Sequence, residues 1–220
     1  MIKAKCTRPE PTRKAFPKDL SPLEEMNIDF LADEMASAWK CHKPPSTPLA
    51  SNPLHGSGLL DIIRDSCTVR GALGGRMLID LGAGHPWMMA VFARSHGVRE
   101  YVAVDSHFGY SGLIEIPGVS LINSDMLRFM AYMPDSSANV CMNAIDGAVL
   151  RHPETVIAKM YTLRLMQEIA RVVPEGGMAF GFSSPCLNGL GAHGLTRVSS
   201  LGGFRLGDYC AVYLKEGGGI

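Results

Sequence analysis

The sequence predicts an α/β fold: a mainly parallel sheet with helices on both faces, helices added ahead of it, and an antiparallel hairpin to close it. Three observations point there. From Arg76 onward, short apolar strand-like runs alternate with helix-like runs, the pattern that strand–helix–strand crossovers leave in a sequence. Residues 76 to 105, RMLIDLGAGHPWMMAVFARSHGVREYVAVD, read as a strand, a tight glycine turn, a helix and a second strand ending on Asp105. Near the end, Phe204-Arg205-Leu206 and Tyr209 to Lys215 read as two extended runs around a Gly207-Asp208 turn.

The chain has 220 residues, enough for one domain with a full core. Lys+Arg and Asp+Glu both count 21, so no net field favours nucleic acid or an anionic membrane. No apolar run approaches the roughly 18 residues of a membrane span, and the N-terminus lacks the apolar stretch of a signal peptide. Six cysteines (Cys6, Cys41, Cys67, Cys141, Cys186 and Cys210) are scattered without a C-x-x-C pair, which argues against a zinc knuckle or a redox dithiol. The expectation is a cytoplasmic protein with no metal, nucleic-acid or membrane partner.

Residues 1–20 hold Lys3, Lys5, Arg8, Arg13, Lys14 and Lys18 against Glu10 and Asp19, with little apolar periodicity, and read as a mobile basic arm. Ser21-Pro22-Leu23-Glu24 has the form of a capping box that opens a helix. Leu23, Met26, Phe30, Leu31, Met35 and Ala38 follow at helical spacing, and Pro44 and Pro45 stop it. Residues 41–57 form a loop, and Leu59, Leu60, Ile62 and Ile63 suggest a second short helix. Both faces of the coming sheet are taken by its own helices, so residues 21–70 are expected at its open carboxyl edge as a lid. The sheet domain then occupies residues 71–216.

Strands are expected at 77–81, 101–105, 119–123, 138–143 and 178–183, and helices at 86–96, 125–132 and 153–172. Pro153 opens the last helix, and Val156, Ile157, Met160, Leu163, Ile169 and Val172 line one side. Gly109, Gly112 and Pro117 argue against a regular helix in residues 106–118.

Ligands bind at the carboxyl edge of such sheets. Strand one delivers Asp80 and the Gly82-Ala83-Gly84 turn, with a helix N-terminus directly after it. Strand two delivers Asp105, 21 residues past Gly84, where a carboxylate can accept from both hydroxyls of a ribose. Strand three is followed by Asp125 and Met126, strand four by Asn143 and Asp146, and strand five by Ser183 and Ser184. Acids and an asparagine without Lys or Arg suit a ligand with a ribose, an amino base and an ammonium group. They suit a polyphosphate poorly.

The stretches LIDLGAG, VAVD, NSDML, VCMNAIDGAVLRHPE and MQEIARVVPEGGMAFGF, in that order over residues 77–183, give a plain resemblance. The chain resembles the class I S-adenosylmethionine-dependent methyltransferases, in the broad group that includes ubiquinone-biosynthesis-type and related small-molecule enzymes. The resemblance implies a Rossmann-like, seven-stranded sheet with an antiparallel last strand. It also implies S-adenosyl-L-methionine as cofactor and methyl transfer to a small-molecule acceptor. Asp80, Gly82, Ala83 and Gly84 would hold the methionine end; Asp105, followed by Ser106, would accept the ribose hydroxyls. Asp125 would accept from the adenine amino group while the Met126 N–H reaches the ring. Asn143 and Ala144 would offer carbonyls to the methionine ammonium. The bland reading of Asp125 is a helix cap.

One position departs from the pattern. Pro86 stands where the family usually has a third glycine, between His85 and Trp87. Proline in a first helical turn loses little, because that N–H has no partner within the helix. No catalytic residue is singled out; His85, His152, Tyr110, Asp146 and His55 are the candidates for a general base. Two other readings stay open. A catalytically silent binding or regulatory protein of the same fold would keep the site without turnover. A nicotinamide-dependent oxidoreductase would need glycine or alanine where Trp87 stands.

Overall fold

The computed structural model describes residues 27–41, 67–84, 86–106, 117–142, 155–182, 189–198, 200–201, 204–205 and 210–217. In chain order the elements are α1 (Ile28–Cys41), α2 (Cys67–Leu73), β1 (Met77–Leu81), α3 (Trp87–Ser95), β2 (Glu100–Asp105), β3 (Val119–Asn123), α4 (Met126–Tyr132), β4 (Ala138–Met142) and α5 (Thr155–Val172). There follow β5 (Met178–Phe182), a short 3-10 turn (Gly189–His193), β6 (Leu195–Val198), β7 (Ser200–Leu201), β8 (Phe204–Arg205) and β9 (Cys210–Lys215).

Seven strands form one sheet in the order β3-β2-β1-β4-β5-β9-β6. The first five are parallel, and β9 runs antiparallel to both β5 and β6. The central strands are covered on both faces and mostly apolar, with Asp80 of β1 and Asn139 of β4 the buried polar residues among them; β4 is buried along its whole length. One face packs Ile79, Leu81, Val102, Val104 and Val140 against α1, α4 and α5. The other packs Leu78, Tyr101, Ala103, Cys141 and Phe180 against α2 and α3. The chain leaves β1 first to one side and later to the other, so a topological switch point lies at the carboxyl end of β1, where the glycine turn stands.

The expected strands and helices of the sheet domain are present with ends shifted by a residue or two. Four expectations are corrected. The helix expected from Ser21 begins at Ile28, because the Asn27 side chain accepts from the Asp29 and Phe30 N–H groups and caps it. Its buried face is Leu31, Ala32 and Met35, while Phe30 is 45% exposed. A helix not expected, α2, covers Cys67–Leu73; its β-branched residues and Gly71 hid it. In α5 the buried face is Ile157, Tyr161, Leu165, Ile169 and Val172, and Val156 and Leu163 of the expected face are 50% and 42% exposed. Finally, β9 does not pair with Phe204–Arg205, which instead pairs with Ser200–Leu201; its hairpin-like partner is β6, a strand not expected.

Residues 1–26, the second expected helix around Leu59 to Ile63, residues 107–116 and the 218–220 tail lie outside the described residues. Among the described residues no helix is long and apolar enough to cross a membrane.

The most specific stretch of the resemblance, residues 166–182, serves the fold. Glu168 bridges Arg164 and Arg171 along α5, and Arg171 also donates to the Met130 and Met133 carbonyls, holding α5 against the end of α4. Pro174 to Gly177 form a tight turn: the Gly177 N–H returns to the Pro174 carbonyl, and Gly176 adopts φ +67° between them.

Candidate cofactor site

The turn after β1 is tied to β2 by three hydrogen bonds. The Gly82 and Ala83 N–H groups donate to the Val104 carbonyl at 2.9 and 3.2 Å. The Gly84 N–H donates to Asp105 Oδ2 at 2.9 Å. Gly82 and Gly84 lie at φ +69° and +51°, where a side chain is disfavoured, and a Cβ on Gly84 would meet nothing within 4 Å. Among the described residues the turn thus presents bare backbone beside a carboxylate, with no side chain covering it. Asp105 and Gly84 are both half-buried, and Ser106 beside them is exposed. Pro86 caps α3 with helical angles, φ −76° and ψ −10°, and its carbonyl accepts from Ala90. Proline therefore costs the helix nothing here, as its position in the first turn implies.

Asp80 stands apart from this edge. Its side chain is 0% exposed and lies on the α2/α3 face of the sheet. The Tyr101 hydroxyl donates to Asp80 Oδ2 at 2.6 Å, and Cys141, its lateral neighbour on β4, hydrogen-bonds it as well. Burial and the adjoining carboxylate push the Tyr101 phenol and the Cys141 thiol well above their ordinary values. Both partners stay protonated and donate.

At the end of β3, Asp125 caps α4: its Oδ1 accepts from the Arg128 N–H at 3.0 Å. Its Oδ2 accepts from the Tyr161 hydroxyl at 2.9 Å. The cap reading of Asp125 is therefore realised, yet a carboxylate has about four lone-pair directions, so capping does not exhaust it. Met126 is the first residue of α4 and is half-buried against the core. The Arg128 guanidinium turns away to Asp29 and Asp33 of α1, at 2.9 and 3.0 Å.

The fold brings Gly82, Ala83, Gly84, Asp105, Ser106, Asp125 and Met126 to the carboxyl ends of three adjacent strands. Asn143, Ala144, Ser183, Ser184, His55, His85, Tyr110, Asp146, His152 and the Trp87 side chain lie outside the described residues. Sequence reasoning passed over Tyr101, Cys141 and Tyr161. A tyrosine in an apolar stripe was the available signal, because a buried phenol needs a partner for its O–H. Among the described residues no group of three or more His, Cys, Asp or Glu could hold a metal ion. A groove of about 590 Å³ beside α3 is lined by Val98, Arg99, Tyr101 and Gly118 at the amino ends of β2 and β3, away from the candidate residues.

No family model matches the chain, and no curated protein does. Solved structures do. One is a protein from the complex between the Haloferax volcanii Trm112 methyltransferase activator and a methyltransferase, at TM-score 0.53 and 11% identity over 84% of this chain and 99% of that one. Another is an O-methyltransferase family protein from Burkholderia thailandensis, at TM-score 0.50 and 12% identity over 75% of this chain and 57% of that one. The fold is that of the class I methyltransferases, with the antiparallel strand β9 lying between β5 and β6.

Proposed function

We propose that this chain is an S-adenosylmethionine-dependent methyltransferase acting on a small-molecule acceptor. The observation that carries the reading is the bond between the Gly84 N–H and Asp105 Oδ2 at the switch point of the sheet. It fixes a bare backbone turn and a strand-end carboxylate side by side, which suits a ribose held by its hydroxyls with its chain running over the turn. The residues fit such a group on two counts. Among the described residues nothing stands within 4 Å of where a Gly84 side chain would be. Among the described residues that follow β1, β2 and β3, from Gly82 to Gly84 and at Asp105, Ser106, Ser124, Asp125 and Met126, there is no Lys or Arg to call for a polyphosphate.

Asp105 would accept from the ribose, Asp125 from the adenine amino group, and the Gly82–Gly84 turn would face the methionine end. Asn143 and Ala144 belong to the same proposal, their backbone carbonyls accepting from the methionine ammonium. When bound, the cofactor supplies a methyl group on a sulfonium, displaced in line by the acceptor's nucleophile. The protein's task is then mainly alignment and exclusion of water. The tie from Asp29 and Asp33 to Arg128 seats α1 beside α4 on a face of the sheet rather than over its carboxyl edge, so a lid role for residues 21–70 rests on the rest of that segment.

One observation favours a second reading, a silent binding or regulatory protein of this fold: Pro86 removes a backbone N–H from the turn that faces the site. Calorimetry with S-adenosylhomocysteine, S-adenosylmethionine and NAD decides the cofactor. Methyl transfer from labelled S-adenosylmethionine to a small-molecule panel separates enzyme from silent binder. Absence of binding to both adenosyl compounds removes the proposal.

A further inference from the structure

We propose that Tyr161 is a positioning residue that aims the Asp125 carboxylate and thereby sets the preference for an amino purine over an oxo purine. The inference rests on the methyltransferase reading and adds a base-selecting device to it.

Tyr161 sits inside α5, two turns from its start, and is 1% exposed. Its ring belongs to the core face formed with Ile157, Leu165 and Ile169. A phenylalanine would fill that place equally well for packing. The hydroxyl therefore needs its own explanation, since an unpaired buried O–H is costly. It donates to Asp125 Oδ2 at 2.9 Å and lies 3.4 Å from the Leu127 N–H as acceptor. Asp125 is thus held by two donors from different elements: the Arg128 N–H of its own helix on Oδ1, and the Tyr161 phenol of α5 on Oδ2.

A helix cap needs only the first of these. Two fixed bonds set the rotation of the carboxylate about its Cβ–Cγ bond, so its remaining acceptor directions are set as well. A carboxylate is acceptor-only when ionised and rewards an N–H donor facing it. An exocyclic amino group supplies one. A ring carbonyl at the same position supplies an acceptor and meets repulsion. A site built to hydrogen-bond one group rejects an analogue lacking it far better than an apolar pocket can. The sharper the carboxylate is aimed, the stronger that rejection.

The test uses the full chain with two paired ligands, S-adenosylhomocysteine and its deaminated analogue S-inosylhomocysteine, measured by calorimetry against the wild type, Tyr161→Phe, Asp125→Asn and the double variant. The wild type should prefer the amino compound by about tenfold or more. Tyr161→Phe should cut that ratio at least about threefold, and should change the ratio little further when Asp125 is already asparagine, the non-additivity expected of residues acting as a unit. A tyrosine that only packs α5 on α4 would lower the melting temperature and leave the ratio unchanged. That result overturns the inference while the methyltransferase reading stands. If the wild type binds neither compound, the reading falls and the inference with it. Should Tyr161→Phe give too little folded protein, Tyr161→Leu removes the same hydroxyl and is read on the same ratio.

Discussion

Asp80 and Asp105 are the same residue type on adjacent parallel strands, and the fold uses them oppositely. Asp80 is enclosed and bonded by Tyr101 from β2 and Cys141 from β4. Asp105 stands one pleat past the last buried position of its strand, half-exposed, and bonded to the backbone of a turn. A carboxylate whose donors are side chains in the sheet's own face acts as a brace between strands. A carboxylate at the sheet's edge, half-exposed and bonded to the backbone of a turn, stands where a ligand can reach it. Depth in the sheet, more than residue type, separates an acid enclosed by side chains from one left at the rim.

The largest effect should come from the edge. Asp105→Ala should weaken S-adenosylhomocysteine binding by about 2–4 kcal/mol, the worth of two hydrogen bonds to a charged acceptor with partial water replacement. Its melting temperature should barely move. Calorimetry paired with a thermal melt checks both halves, and unchanged affinity would remove Asp105 from the site.

Asp80→Ala should do the reverse. The Tyr101 hydroxyl would lose a bond inside the core, costing about 1–3 kcal/mol of unfolding free energy. Urea denaturation reads this directly. If affinity falls as much as for Asp105→Ala while stability holds, the contrast between the two acids is broken.

The brace also has a pH signature. Tyr101 and Cys141 are raised above ordinary values of 10.0 and 9.0, chiefly by burial and then by Asp80. Below about pH 8 both groups are protonated in the folded and unfolded chains alike, and their contribution is fully present. As pH rises further the unfolded chain releases protons that the folded chain keeps. Stability then falls by about 1.4 kcal/mol per pH unit for each group until the folded value is reached. Tyr101→Phe should flatten the part of this slope above about pH 10. An alkaline denaturation series that is equally steep in the variant would show that Tyr101 does not carry it.

The smallest effect is expected at Pro86. Its angles already fit the helix, so Pro86→Gly should shift cofactor affinity by less than about tenfold, or ~1.4 kcal/mol. A large gain, or activity appearing only in the variant, would favour the silent-binder reading.

Much of the fold was legible because parallel strands buried on both faces read as continuous apolar runs. Met77–Leu81 matches its expected bounds for that reason. Val119–Asn123 also matches, although it is an edge strand and only half-buried. Helix faces were less legible. The stripe drawn through Val156 and Leu163 is rotated from the one that is buried, since α5 must present Tyr161 to Asp125 and Leu165 to the core. Periodicity gives a helix its apolar side only to within the width of that side.

The sequence by itself determined the alternation of elements, the glycine turn and the acid 21 residues beyond it, because each depends on local backbone preference and crossover length. Tertiary structure alone decided three things. It set β6 rather than Phe204–Arg205 beside β9, because strand pairing is a choice among distant partners of similar propensity. It enclosed Asp80 and left Asp105 at the rim, because burial depends on where each strand ends relative to its neighbours. And it brought the phenol of Tyr161 to Asp125 across 36 residues of chain, a contact with no local signature, made when α4 and α5 pack side by side on one face of the sheet.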